Sequence, residues 1–190
     1  MAEHVILVVG PMGAGKTTAI GTLSDIDPVR TEGVNTDRGA VDKATTTVAL
    51  DYGEIALSRS EKIRLYGVPG QKRFDFMWSI LRQRAVGTIV LVKNDADDPL
   101  GDLIAFFEEF REIHERGGVV VGITHSDLAP APTTVEYQRL IAERYPTAVA
   151  PVFTVDPRSR EQLVVMLSAL AASVDSRAMF LGGQGGQSSR

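Results

Sequence analysis

The stretch Gly10-Pro11-Met12-Gly13-Ala14-Gly15-Lys16-Thr17-Thr18 constrains this chain more than any other. It follows the apolar run Val5-Ile6-Leu7-Val8-Val9 and opens a segment, residues 17–24, that can be helical. This is the G-x-x-x-x-G-K-[ST] pattern in the setting it requires, a strand before and a helix after. Glycines at 10, 13 and 15 let the backbone turn back on itself and aim its N–H groups inward. The start of the helix adds free N–H groups and the positive end of its dipole. Such a loop cradles phosphate. Gly10, Met12, Gly13, Ala14, Gly15 and Thr18 supply the cradle, Lys16 pairs with the β- and γ-phosphates, and the Thr17 hydroxyl ligates Mg²⁺.

The rest of the chain is expected to build one three-layer α/β domain around that loop. At 190 residues it has the size of a single domain. Strand patterns at residues 45–57, 62–66, 88–92, 119–123 and 149–155 join the first apolar run to predict six strands. Helical spacing at residues 74–84, from Pro99 to Ile113, at 134–145 and at 161–174 alternates with them. That order predicts a mostly parallel sheet covered on both faces, with one antiparallel strand made by the turn Ser58-Arg59-Ser60-Glu61. Residues 25–43 are polar and show no periodicity, which in a compact domain marks a functional or mobile loop. The domain spans 1–176, and the Gly-rich residues 177–190 are expected to be a flexible tail. Phe106, Phe107 and Phe110 read as core, and His4 and His114 as surface histidines.

Composition excludes several functions. The formal charge of −4 argues against a nucleic-acid or anionic membrane surface. With no cysteine, neither a disulfide frame nor a thiolate metal site can form. No apolar run approaches the roughly 20 residues of a membrane helix. Neither a signal peptide nor a lipidation motif is evident, so the expected location is the cytoplasm, with any membrane recruitment left to partners.

Four further stretches lie at strand ends, where ligands of such sheets bind. Tyr66-Gly67-Val68-Pro69-Gly70-Gln71 resembles the third motif of small GTPases, usually Asp-x-x-Gly-Gln. The resemblance implies that Gly70 offers its N–H to the γ-phosphate and that Gln71 orients the attacking water. Gly67 stands where the usual aspartate holds a metal-bound water. A non-acidic residue within a sequence like Val-Pro-Gly-Gln makes the chain similar to gliding-motility GTPases of the MglA type, and still more to actinobacterial conservon GTPases. In those families a first-switch threonine reaches Mg²⁺ with its hydroxyl. Counting back from Asp51, which resembles an acidic residue four past that threonine, favours Thr47, with Thr46 second. Thr124-His125-Ser126-Asp127 resembles Asn/Thr-Lys-x-Asp, whose carboxylate accepts hydrogen bonds from guanine, with His125 in place of lysine. Thr154-Val155-Asp156 occupies the place of the Ser-Ala-Lys base loop and matches it poorly.

The resemblance implies a GTP-binding switch that hydrolyses GTP to GDP and phosphate with Mg²⁺. Lys16, Thr47 and Gln71 would be catalytic, and a Roadblock-type regulatory protein and an effector would be its partners. Two other readings fit the residues. A small-molecule kinase would use the same phosphate loop, although no arginine-rich lid insertion is evident. A nucleotide-binding scaffold without turnover would explain Gly67 and the poor base loop.

Overall fold

Alternation in the first strand decides how the layers form. In the computed structural model, which describes residues 2–27, 29–33, 48–68, 81–116 and 118–183, β1 runs Ala2–Val9. Its Val5, Leu7 and Val9 enter one buried cluster, while Ile6 and Val8 enter another on the opposite side. A strand apolar on both faces belongs in the middle of a sheet covered twice.

The other strands are β2 (Val29–Gly33), β3 (Val48–Ser58), β4 (Glu61–Gly67), β5 (Ala85–Lys93), β6 (Gly118–Thr124) and β7 (Val152–Thr154). They lie in the order β2-β3-β4-β1-β5-β6-β7. Pairing is parallel from β4 through β7, and β3 runs against both of its neighbours. The expected mostly parallel sheet with one reversed strand is therefore present. Among the described residues it has seven strands rather than six. The additional one, β2, lies in the polar stretch 25–43. Five residues carry too short a pattern to read alone, and β2 exists by its ladder with β3, from Val29↔Tyr52 to Gly33↔Val48.

Among the described residues five helices cover the two faces, besides the helical residues 81–84; the rest of the helix expected over 74–84 lies outside the described residues. On one side α1 (Lys16–Leu23) and α5 (Arg160–Gly183) bury Ile20, Leu23, Leu163, Met166 and Leu170. On the other, α2 (Pro99–Glu109), α3 (Arg111–Arg116) and α4 (Thr134–Arg144) bury Phe106, Phe107, Ile113, Tyr137 and Ile141. Three differences from expectation stand out. The helix expected from Pro99 to Ile113 breaks at Phe110, whose N–H closes α2 on the Phe106 carbonyl while its own carbonyl accepts from Ile113. His114 is buried rather than exposed, its Nε2 lying 3.0 Å from the Phe107 carbonyl and its ring beside Phe107 and Tyr145. Residues 177–183, expected in the tail, continue α5 to Gly183. Among the described residues no helix is long and apolar enough to cross a membrane.

This topology prepares the site. Parallel strands β1, β4, β5, β6 and β7 end their carboxyl termini along one edge, and the reversed β3 brings its early residues there too, Asp51 opposite Gly67.

Candidate functional site

The loop between β1 and α1 has the backbone that its glycines permit. Gly10, Gly13 and Gly15 take φ of 150°, 80° and 88°, a region closed to most side chains. Gly10 also passes against β5, where a Cβ would meet the Leu91 carbonyl oxygen at 2.2 Å. Lys16 folds back over the loop, its Nζ donating to the carbonyls of Gly10 and Pro11 at 2.8 Å each. Burial pulls its ammonium below the ordinary lysine range, and the nearby Asp51 carboxylate partly offsets this. Ala14 is buried, whereas the Met12 side chain stands in solvent, so Met12 can serve only through its backbone. The Thr17 hydroxyl donates to Asp51 Oδ2. A hydroxyl and one carboxylate are hard oxygen donors, the set Mg²⁺ takes when substrate phosphates and water complete its shell. The residues therefore fit Mg²⁺. No group of three or more His, Cys, Asp or Glu is placed to hold an ion among the described residues.

The second wall comes from the ends of β6 and β7. Thr124 is fully buried and its hydroxyl donates to the Val92 carbonyl at 3.1 Å, so it braces the wall from behind. His125 turns the chain with a φ of 59°, and its Nδ1 lies 2.6 Å from Asp95 Oδ1. Asp95 also accepts from Lys93 Nζ at 3.0 Å, and these two partners, Lys93 foremost, hold its carboxyl below the usual range. The Lys93 stem runs past the phosphate loop, its Cε 3.7 Å from where a Cβ on Gly13 would stand. Lys93 Nζ, on the strand beside Thr124, is committed to Asp95. Asp127 follows on an exposed turn. Across from it, Arg158 clamps Asp156 through Nε and Nη2, both at 2.9 Å, holding the Asp156 carboxyl at about 2.

A cavity of about 660 Å³ joins the two walls. Of the expected site residues, Gly13, Gly15, Thr18, His125, Asp127, Thr154, Val155 and Asp156 line it. Lys16 and Thr17 stand beside it on the same loop and helix. Thr46, Thr47, Gly70 and Gln71 lie outside the described residues. The structure adds Ser126, Leu128, Pro157, Arg158 and Gln162 to the lining. Pro157 packs so closely on Gly15 that a Cβ there would meet its Cγ at 2.5 Å. Arg158 lies two residues past the base-loop candidate and Gln162 six, and only the fold brings Gln162 back against the Asp156 N–H.

Comparison with known proteins agrees with this geometry. Residues 26–142, more than half of the chain, match the family described as conserved hypothetical ATP binding protein. The match begins just past the phosphate loop and includes His125 and Asp127. An uncharacterized protein of Methanocaldococcus jannaschii is 38% identical over 75 residues, 40% of this chain. The chain spans about two fifths of that relative's length, 41%. The crystal structure of the G domain of the T. maritima FeoB iron transporter superposes with a TM-score of 0.58 at 16% identity, covering 93% of this chain and 99% of that one. At that identity the likeness speaks for the fold, a P-loop G domain.

Proposed function

Because the chain belongs to the family of conserved hypothetical ATP binding proteins, we propose that it binds a nucleoside triphosphate with Mg²⁺, prefers guanine, and hydrolyses GTP to GDP and phosphate as a two-state switch. The observation that carries this reading is the cavity itself, which is lined both by the phosphate loop, through Gly13 and Gly15, and by Asp127. Lys16 and the loop N–H groups would bind the phosphates, and Thr17 would offer its hydroxyl to Mg²⁺, whose charge would offset that of the phosphates. Asp127 accepts from N1–H and the 2-amino group of guanine. Adenine offers an acceptor at N1 and no 2-amino group, so the carboxylate would lose both bonds. Hydrogen bonds to a charged acceptor contribute about 1.5–3 kcal/mol, which makes the preference about tenfold or more.

Hydrolysis is assigned to residues outside the described part of the chain: Gln71 to orient water, Gly70 and Thr47 or Thr46 to close on the γ-phosphate. The likeness of Val68-Pro69-Gly70-Gln71 to the MglA and conservon GTPases supports this, as does the G-domain fold. With Lys43 and Arg38 the nearest upstream cations, turnover alone should be slow. A Roadblock-type partner engaging both switches would raise it, an added arginine being worth about 10³–10⁵ in rate.

Three measurements test the reading. The nucleotide carried by the purified protein is extracted and separated by chromatography, and GTP and ATP are titrated calorimetrically with Mg²⁺. Tighter ATP binding would overturn the guanine assignment and favour the ATP of the family's description. Single-turnover phosphate release, with and without the partner and in Gln71→Leu, tests hydrolysis. A phosphorylated acceptor in place of free phosphate would make the protein a kinase, and no release in any mixture would make it a scaffold.

A further inference from the structure

The helix that follows the phosphate loop ends without a cation of its own. α1 has no basic residue in its last turn, and a helix end leaves its final carbonyls without partners inside the helix. Arg160, the first residue of α5, meets both needs from outside. Its Nη1 donates to the Thr22 and Leu23 carbonyls at 2.9 Å each, and its Nη2 to Asp25 Oδ1 at 2.8 Å. A guanidinium in that place also faces the negative end of the helix dipole. Asp25 is held in turn, its Oδ2 accepting the Ala56 N–H of β3 at 2.9 Å. One planar group thus joins the start of α5, the end of α1 and the sheet.

What those elements carry gives the contact its meaning. α1 begins at Lys16 and Thr17 of the phosphate loop, and α5 begins two residues past the base-loop residue Arg158. The two loops touch beside the cavity, where Pro157 packs on Gly15. A single contact is a pivot. Arg160 adds a second at the far end of α1, about 12 Å along a helix of 8 residues. Two contacts that far apart fix the angle between the loops as well as their distance. Arg160 itself is not part of the cavity wall formed by the described residues. Its pair with Asp25 is 50% and 39% exposed, so as an ion pair it adds little to stability. The geometry it imposes is the larger effect.

We infer, resting on the nucleotide reading above, that Arg160 is a positioning residue, which sets the base loop against the phosphate loop so that one nucleotide engages both. A ligand that spans two walls binds best when they already stand at its own length, because ordering them on binding costs affinity. A ligand that touches one wall gains nothing from the brace. Loss of the brace therefore weakens whole nucleotides and spares their fragments. Residues that couple two sites without touching a ligand change affinity by about 2- to 30-fold.

The test compares a whole nucleotide with its phosphate half. Affinities for GTP and for inorganic tripolyphosphate, both with Mg²⁺, are measured calorimetrically for the wild type, Arg160→Ala and Arg160→Lys. GTP needs both loops, and tripolyphosphate only the first. In Arg160→Ala, GTP affinity should fall about 2- to 30-fold while tripolyphosphate binds as it does to the wild type. Retained tripolyphosphate binding also establishes that α1 and its loop are folded. Arg160→Lys keeps the charge but cannot meet two carbonyls and a carboxylate from one plane, so its loss of GTP affinity should be smaller. Equal losses of both ligands in both variants would overturn the inference, because Arg160 would then stabilise α1 and nothing more. GTP affinity in Arg160→Ala equal to that of the wild type would overturn it too, and either result leaves the nucleotide reading standing. A wild type that binds GTP and ATP no more tightly than tripolyphosphate would remove that reading, and this inference with it.

Discussion

The Tyr137 hydroxyl donates to Oδ1 of Asn94 at 2.8 Å, and both side chains are buried. Asn94 uses its amide nitrogen in turn, donating to the carbonyls of Ala129 at 2.6 Å and Pro132 at 3.2 Å. One side chain at the end of β5 therefore ties α4 to the loop that carries His125 and Asp127. Asn94→Ala would leave a buried hydroxyl and two carbonyls short of partners, a loss of about 1–3 kcal/mol. For a domain of this size that is about 2–12 °C in Tm. Nucleotide affinity should fall as well, because the loop loses its anchor. Tyr137→Phe removes the α4 contact alone, so it should lower Tm without weakening nucleotide binding. Thermal denaturation and nucleotide titration on both variants check this, and equal affinity losses would defeat the anchoring argument.

The Asp156–Arg158 clamp predicts an acid-range signature. The folded carboxyl sits at about 2 against an ordinary value of 3.8, chiefly through the Arg158 side chain and then its backbone N–H. A depressed folded value means the stabilisation is fully present above the unfolded value. It is lost as pH falls from near 4 through about 2. Carbon NMR titration of the side-chain carboxyl should give a midpoint near 2 in the wild type, moving toward the ordinary value in Arg158→Ala. A wild-type midpoint at the ordinary value would mean that the clamp does not hold in solution.

How much of this was legible beforehand depended on whether the controlling forces were local. β1 and the loop after it were readable because apolar alternation, glycine placement and Lys16-Thr17 all act within a few residues. β2 was not, since residues 29–33 owe their strand to a ladder with β3. His114 reads as polar, and only the packing of α3 against Phe107 and Tyr145 reveals it as core. Gly67 was recognisable as a missing acid, and Asp51 was noticed only as a marker of register. That Asp51 stands opposite Gly67 depends on a pairing that no pattern in either strand discloses.

Gly10 and Gly13 offer a graded test of the loop. At Gly10 a methyl group meets the Leu91 backbone carbonyl at 2.2 Å, and β5 cannot retreat without disturbing the sheet. At Gly13 the nearest atoms belong to the flexible Lys93 side chain at 3.7 and 3.9 Å, so the cost there is the positive φ alone. Gly13→Ala should cost about 1–2 kcal/mol. Gly10→Ala adds an overpacking term of about 1–3 kcal/mol. Urea denaturation of the two variants should rank them in that order, and the reverse ranking would refute the close approach of the loop to β5.

The last prediction concerns how the base is read. The backbone N–H groups of the loop after β7 are already committed: Val155 N–H donates to the Ile123 carbonyl at 2.9 Å, and Asp156 N–H to Gln162 Oε1 at 2.7 Å. The first bond extends the sheet and is not negotiable. The second is made by a side chain in the third position of α5, facing the same cavity as Asp156 and Asp127. A base carbonyl oxygen, such as O6 of guanine, can use the Asp156 N–H only by displacing Gln162. An adenine amino group in the same place is a donor, and Gln162 Oε1 is the acceptor it would meet. The same side chain therefore opposes one purine and assists the other. A typical net hydrogen bond contributes about 0.5–1.5 kcal/mol, or roughly 2- to 12-fold in affinity. Gln162→Ala should bind GTP more tightly by about that factor and ATP more weakly by a similar one. Any stability lost at the start of α5 cannot give the two nucleotides opposite signs. Calorimetric titration of both nucleotides into wild type and variant decides it. Shifts in the same direction would show that Gln162 supports the helix start and takes no part in base selection.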